Sequence, residues 1–225
     1  MRIRLAVFDV DGVLVDVESS WRAVHEYFGV YEKAREAARL FSESRLPYVK
    51  WMELDTRLWV EARGGRLHKS ELLEAFSRLR VDPEARPLFD WLRARGVKTA
   101  LVSGGIDLWV ERVAEAVGAD YWLANKLSFD KDGYLVPGGV PVVGVWKDEA
   151  VRRIASHLGV DLSQVMFVGD SEWDAPAMRI VGYPVGYGPR AREALRGVAR
   201  YFVDRLSQIR ELVEAIERGE SPLLE

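Results

Sequence analysis

The chain has 225 residues, with 32 Lys+Arg against 35 Asp+Glu and a formal net charge of −3. That near-balance argues against a nucleic-acid binder, which carries a basic excess concentrated on one face. A hydrophobic content of 48% supports a full core, and the absence of cysteine excludes disulfides, thiolate zinc sites and a cysteine nucleophile.

Asparagine occurs once (Asn125) and glutamine twice (Gln164, Gln208). These amides degrade when hot, so their scarcity points to a thermophilic source. Asp9 and Asp11 cut off the short apolar run at the N-terminus before it reaches signal-peptide length, and no run approaches the roughly 18 apolar residues of a membrane span. A cytoplasmic chain without membrane or nucleic-acid partners is expected. The sequence leaves its oligomeric state open.

Ile3 to Phe8 is a short β-branched run that stops at acids, as a buried strand does. From about Glu18 to Leu79 the period turns helical. Trp21, Val24, Tyr27 and Phe28 share one face, Leu46, Val49, Met52 and Leu58-Trp59 mark a second helix, and Leu72, Leu73, Phe76 and Leu79 a third. Pro83 opens an alternating regime. A helix through Leu88 and Leu92 stops at Gly96, then come a strand at Lys98–Val102, a helix near Asp107–Val117 and a strand at Tyr121–Ala124. Asp132-Gly133 reads as a hairpin turn. A helix over Lys147–Leu158, strands at Val165–Val168, Pro184–Val185 and Tyr201–Val203, a helix after Asp174 and a final helix from Ser207 to Arg218 complete the pattern. It predicts an α/β fold: a Rossmann-like, doubly wound, mostly parallel sheet over residues 1–15 and 81–225, with a helical insertion at 16–80.

In open α/β sheets ligands bind at the carboxyl ends of the strands. The residues there are Asp9-Val-Asp11-Gly12, Ser103-Gly104-Gly105 and Gly169-Asp170-Ser171-Glu172-Trp173-Asp174, with Lys147 opening the helix before the last of these strands. Each piece has a plain structural reading. Asp11-Gly12 is also a hairpin signal, Ser103-Gly104-Gly105 a tight turn, Lys147 a surface charge, and Asp170 and Asp174 acids at a helix start. Their order is what carries weight.

That order strongly resembles the haloacid-dehalogenase-like hydrolase superfamily, whose four motifs are matched by Asp9/Asp11, Ser103, Lys147 and Asp170/Asp174. The insertion at 16–80 then corresponds to the family's cap. The resemblance implies a phosphatase acting on a small phosphorylated metabolite, with Asp9 as nucleophile and Asp11 as general acid and base. It implies Mg²⁺ held by Asp9, the backbone carbonyl of Asp11 and Asp170, with Asp174 in support. Ser103, Gly104 and Lys147 would bind the phosphoryl group. The Leu-Val-Ser-Gly-Gly string at 101–105 looks closest to phosphoserine phosphatases, where an acid at the position of Glu18 contacts the substrate amine. Two departures stand against phosphoserine itself. Asp55 falls where that subgroup has a carboxylate-binding arginine, and Trp173 replaces the usual asparagine. A phosphomutase or phosphotransferase of the same superfamily is the alternative.

Gly186-Tyr-Gly188-Pro-Arg-Ala191 also matches a dinucleotide fingerprint, but its strand–helix–strand unit is short of the ~30 residues expected. A non-enzymatic phospho-acceptor would lack a second acid two residues from the first. The Asp130-Lys-Asp132-Gly133 stretch has Leu135 where a calcium loop needs glycine. The three histidines (His25, His68, His157) are expected on helix surfaces. The tryptophans read as core packing, with Trp21, Trp51 and Trp173 as candidates for the pocket wall.

Overall fold

The computed structural model describes residues 2–43 and 45–220. β1 (Leu5–Phe8) is buried along its whole length. Leu5 and Val7 join the hydrophobic cluster on one sheet face and Ala6 and Phe8 the cluster on the other, as the two-residue period of a strand requires. Phe8 packs on Phe89 with ring centroids 4.8 Å apart.

Four helices make up the segment that follows: α1 (Ser20–Tyr27), α2 (Tyr31–Ser42), α3 (Tyr48–Ala62) and α4 (Lys69–Ala75). Three of them fall where the apolar stripes predict, although Phe28, Leu46, Phe76 and Leu79 lie just outside the helices and Tyr27 and Val49 are exposed. α2 is an addition, for its buried positions are Ala34 and Ala37, too small to show as a hydrophobic pattern. The chain then runs α5 (Ala85–Ala94), β2 (Lys98–Ile106), α6 (Asp107–Val117), β3 (Tyr121–Phe129), β4 (Leu135–Val140), α7 (Lys147–Leu158), β5 (Val165–Gly169), α8 (Ala175–Met178), β6 (Tyr183–Tyr187), α9 (Gly188–Ala194), β7 (Tyr201–Val203) and α10 (Leu206–Glu217).

The seven strands form one sheet in the order β4-β3-β2-β1-β5-β6-β7. All pairs are parallel except β3–β4, the hairpin turning through Asp132-Gly133. The α/β fold with a mostly parallel sheet is therefore present. β2 and β3 run further than the sequence suggests, and β2 carries Ser103 and Gly104 inside its last residues, where the pairing with β3 shifts register. The helix after Asp174 is a single turn preceded by a 3₁₀ turn.

The helical segment rests on the β3–β4 hairpin, where the Gly138 N–H donates to Thr56 Oγ1 in α3 (2.7 Å). One expectation fails here. His25 is buried rather than on a helix surface, because its ring lies against Trp59 and Asp55 inside the helical segment. No helix among the described residues is long and apolar enough to cross a membrane.

Candidate active site

From β1 the chain passes to β2 and β3 on one side and later returns to β5 on the other. The loops beyond β1 and β5 diverge at such a reversal and leave a crevice at the carboxyl edge. A cavity of about 280 Å³ lies there, lined by Asp9, Asp11, Ser103, Gly104, Lys147 and Asp170, with Glu18 at its rim. The sequence-predicted residues thus meet in one place, and Asp174 sits directly behind them.

Lys147, the first residue of α7, is buried between two carboxylates. Its Nζ lies 2.7 Å from Asp9 Oδ2 and 2.6 Å from Asp174 Oδ1. Burial alone would lower the ammonium's pKa, but the charges of Asp174 and Asp9 outweigh it and hold the pKa above its usual value. Asp174 Oδ2 accepts the Asp170 N–H (2.9 Å) and the Ser171 N–H (3.1 Å), so both its oxygens are engaged. It shapes the loop and seats the lysine. Gly169 is the residue that lets it in, since a Cβ there would collide with the Asp174 carboxylate.

Asp9 Oδ1 accepts the Val10 N–H at 2.8 Å. Burial pushes its carboxyl well above the ordinary range, Lys147 opposing and Asp174 adding to the rise. Burial, reinforced by Asp174, likewise raises Asp170 to about 6. Oxygens of Asp9, Asp170 and Asp174 all lie within 4.8 Å of one another. One ammonium does not balance three crowded carboxylates, and an all-oxygen cluster of this kind suits a hard divalent cation. Gly12, with φ +78°, turns the chain directly over this cluster, and a side chain there would strike the Asp170 carboxylate. The Asp11-Gly12 pair therefore bends the loop after β1 and makes no hairpin.

Asp11 is held by its Oδ2, which accepts the Ser20 N–H at the start of α1 (2.7 Å), while its buried Oδ1 has no partner. Burial raises its pKa, opposed by Ser20. Ser103 Oγ accepts the Gly105 N–H (3.0 Å), which leaves its own hydroxyl hydrogen to donate. Gly105 must lack a side chain, since its Cβ would fall 2.6 Å from Ser20 Oγ. The Gly104 carbonyl accepts from Trp21 Nε1 (3.0 Å) and Asn125 Nδ2 (2.7 Å). Trp21 belongs to the helical segment and Asn125 to the sheet, so this one carbonyl ties the two together. Glu18 pairs with Arg22 and is half exposed.

Sequence reasoning missed Ser20, Tyr48 and the working partners of Asn125. The single asparagine is fully buried, donates to Tyr48 Oη (2.8 Å), and accepts the Val143 and Gly144 N–H groups (3.2 and 2.8 Å). Its rarity was visible, but its contacts 18 to 77 residues away were not. The tryptophan expectation holds: Trp21, Trp51 and Trp173 all line the cavity. Gly186 of the dinucleotide-like string is spent on packing, since a Cβ there would meet the Phe202 ring at 2.6 Å.

This arrangement of carboxylates, ammonium and hydroxyl at the reversal of a parallel sheet defines a class of hydrolase. Residues 3–182 match the haloacid dehalogenase-like hydrolases, and the chain belongs to that family. Among its relatives, a phosphoserine phosphatase of Streptococcus thermophilus is 33% identical over 81% of this chain and 83% of its own. One from Methanocaldococcus jannaschii is 27% identical over 95% of this chain and 98% of its own. A solved structure of a phospho-aspartyl intermediate analogue of phosphoserine phosphatase has the same fold, with a TM-score of 0.75 and 24% identity over 95% of this chain and all of that one.

Proposed function

We propose that the protein is a phosphatase that hydrolyses a small phosphomonoester through an aspartyl-phosphate on Asp9. The observation that carries this reading is the buried Lys147 ammonium bound at once to Asp9 and Asp174, with Asp170 beside them. A nucleophilic carboxylate lies at the centre of the cavity wall, and the ammonium beside it offsets the charge of an incoming phosphoryl group.

In the first step an Asp9 oxygen forms a bond to phosphorus as the ester P–O bond breaks, and the departing alkoxide takes its proton from Asp11. In the second step Asp11, now a carboxylate, takes a proton from water while the hydroxide displaces Asp9 and frees inorganic phosphate. The upward shift of Asp11 keeps it protonated to higher pH than a free aspartic acid, as the first step needs. The Ser103 hydroxyl would donate to one phosphoryl oxygen and the Gly104 N–H to a second. Asp9 and Asp170, with the backbone carbonyl of Asp11, would hold Mg²⁺, which neutralises charge on the phosphoryl oxygens when bound. Asp174 would act only by orienting Lys147 and the 170–171 loop.

The segment 16–80 would serve as a cap over the core formed by 1–15 and 81–225. Trp21 on Gly104, and Phe41 stacked toward Trp173 at 6.4 Å, close two sides of the cavity and support that role. Burial behind such a cap keeps bulk water from the phosphoryl group.

The test is phosphate release from p-nitrophenyl phosphate with added Mg²⁺. Turnover that disappears with EDTA and in Asp9→Asn is the expected result. Turnover unchanged in Asp9→Asn overturns the mechanism, and isomer formation without phosphate release from a sugar phosphate would make the protein a mutase.

A further inference from the structure

Beside the acid cluster, the helical segment encloses a second, smaller chamber of about 70 Å³, walled by Ser19, Trp21, Tyr48, Trp51, Met52 and Asp55. The first four of these also line the main cavity, so the chamber adjoins the place where the leaving group of a bound ester would lie. Its chemistry is unlike that of its neighbour. The wall is aromatic on three sides and holds no lysine or arginine. Arg57, two residues from Asp55, is exposed and paired with Glu53 at 2.9 Å.

Two buried polar atoms in this wall lack any partner: Asp55 Oδ1 and Trp51 Nε1. Asp55 itself is only 3% exposed. Its other oxygen is committed, because Trp59 Nε1 donates to His25 Nδ1 (2.8 Å), which leaves the hydrogen of His25 on Nε2, 3.3 Å from Asp55 Oδ2. The Trp59–His25–Asp55 chain thus fixes the carboxylate and presents its second oxygen unpaired. A buried acceptor and a buried donor left unmatched each carry a desolvation cost that a guest can relieve.

The guest must supply a donor for Asp55 Oδ1 and an acceptor for the Trp51 N–H, and must tolerate aromatic faces. A carboxylate fails the first condition and meets the negative charge of Asp55 with no cation near. An ammonium meets Asp55 but offers nothing to the indole N–H, and a zwitterion that carries both groups brings its carboxylate against a wall without lysine or arginine. A hydroxyl does both at once, and its carbon skeleton lies well against Trp21 and Trp51. We infer that the chamber recognises a hydroxyl of a neutral, polyhydroxylated leaving group, so that the substrate is a short polyol or sugar monophosphate and not an amino-acid phosphate. This rests on the phosphatase reading above and adds the substrate class to it.

The experiment compares kcat/KM, with Mg²⁺, for glycerol phosphate, erythritol phosphate, phosphoserine, phosphoethanolamine and p-nitrophenyl phosphate. The expected result is a polyol phosphate ahead of both phosphoserine and phosphoethanolamine by at least about tenfold. Trp51→Phe removes only the N–H, and Asp55→Asn keeps the shape while removing the charge. Each should lower the ratio of polyol phosphate to p-nitrophenyl phosphate turnover by about tenfold, a shift that a general loss of folding would not produce. Preference for phosphoserine or phosphoethanolamine overturns the inference, as does a ratio unmoved in both variants. If not even p-nitrophenyl phosphate is hydrolysed, the phosphatase reading itself fails, which is a separate and recognisable outcome.

Discussion

The two ends of the pocket are built on opposite principles. At the sheet edge, charge is dense and the central groups are committed, Lys147 to two carboxylates and Asp174 to the lysine and two N–H groups, with Asp11 Oδ1 left unpaired beside them. In the chamber under the helices the walls are aromatic, one carboxylate stands without a cation, and two polar atoms are left unmatched. The first end is a preorganised electrostatic device whose parts are worth most to a transition state. The second can only sort ground-state shapes and hydrogen bonds, which sets a much smaller ceiling on what any one residue there controls.

The sharpest way to break that contrast is to remove the nucleophile. Asp9→Asn keeps the size of the side chain, and it should cut phosphate release from p-nitrophenyl phosphate by at least ~10³-fold while the circular dichroism spectrum stays that of the wild type. A chamber substitution with a loss of the same size would dissolve the distinction. Asp11→Asn should cost about 10²–10⁴-fold on an alkyl phosphate but clearly less on p-nitrophenyl phosphate, whose leaving group needs no proton. Equal losses on both substrates would remove Asp11 from its role as acid.

Charge balance at the acid end makes a second, thermodynamic prediction. Asp170 has its pKa raised to about 6 by burial and by Asp174, against about 3.9 in an unfolded chain. Between those values the folded state binds more protons than the unfolded one, so its stability falls as pH rises through the window. Thermal melts of EDTA-treated protein should therefore show a lower midpoint at pH 7 than near pH 5, and Mg²⁺ should raise the midpoint most at the higher pH, where it replaces the missing proton. A melt that rises with pH over this range, or is indifferent to Mg²⁺ at pH 7, would mean that the acids are balanced without a cation. Lys147→Met should deepen the effect, because it leaves Asp9 and Asp174 buried without their partner at a cost of about 3–5 kcal/mol.

How much of this was legible follows the same division. The acid end is visible in sequence because strand ends are marked by short apolar runs stopping at acids, and because Asp9, Asp11, Ser103, Lys147, Asp170 and Asp174 keep a recognisable order. The chamber is not visible, because its residues belong to α3 and to the start of α1, two helices whose packing angle no periodicity encodes. α2 hid behind alanines, so the stacking of Phe41 on Trp51 at 4.4 Å had no precursor in the pattern. His25 looked like a surface residue because nothing nearby in sequence announces Asp55 and Trp59, 30 and 34 positions away. Asp55 was noticed only as a departure from a resemblance, and its partners came from the fold.

The smallest effect lies at the joint between the two ends. Asn125 touches both, since its amide nitrogen donates to the Gly104 carbonyl and to Tyr48 Oη and its oxygen accepts the Gly144 N–H. Asn125 itself does not line the cavity, so it is a positioning residue: it fixes the strand that carries Ser103 and Gly104 against the loop that delivers Lys147. Asn125→Ala strands buried donors and acceptors, and should cost about 1–3 kcal/mol in stability. Asn125→Asp is the more telling change. It keeps an acceptor for Val143 and Gly144 but places a second oxygen against the Gly104 carbonyl, where two acceptors now face each other. If the joint sets geometry at the acid end, kcat should fall about tenfold with KM nearly constant, whatever the leaving group. If it serves the chamber instead, KM should rise, and only for leaving groups that reach Tyr48.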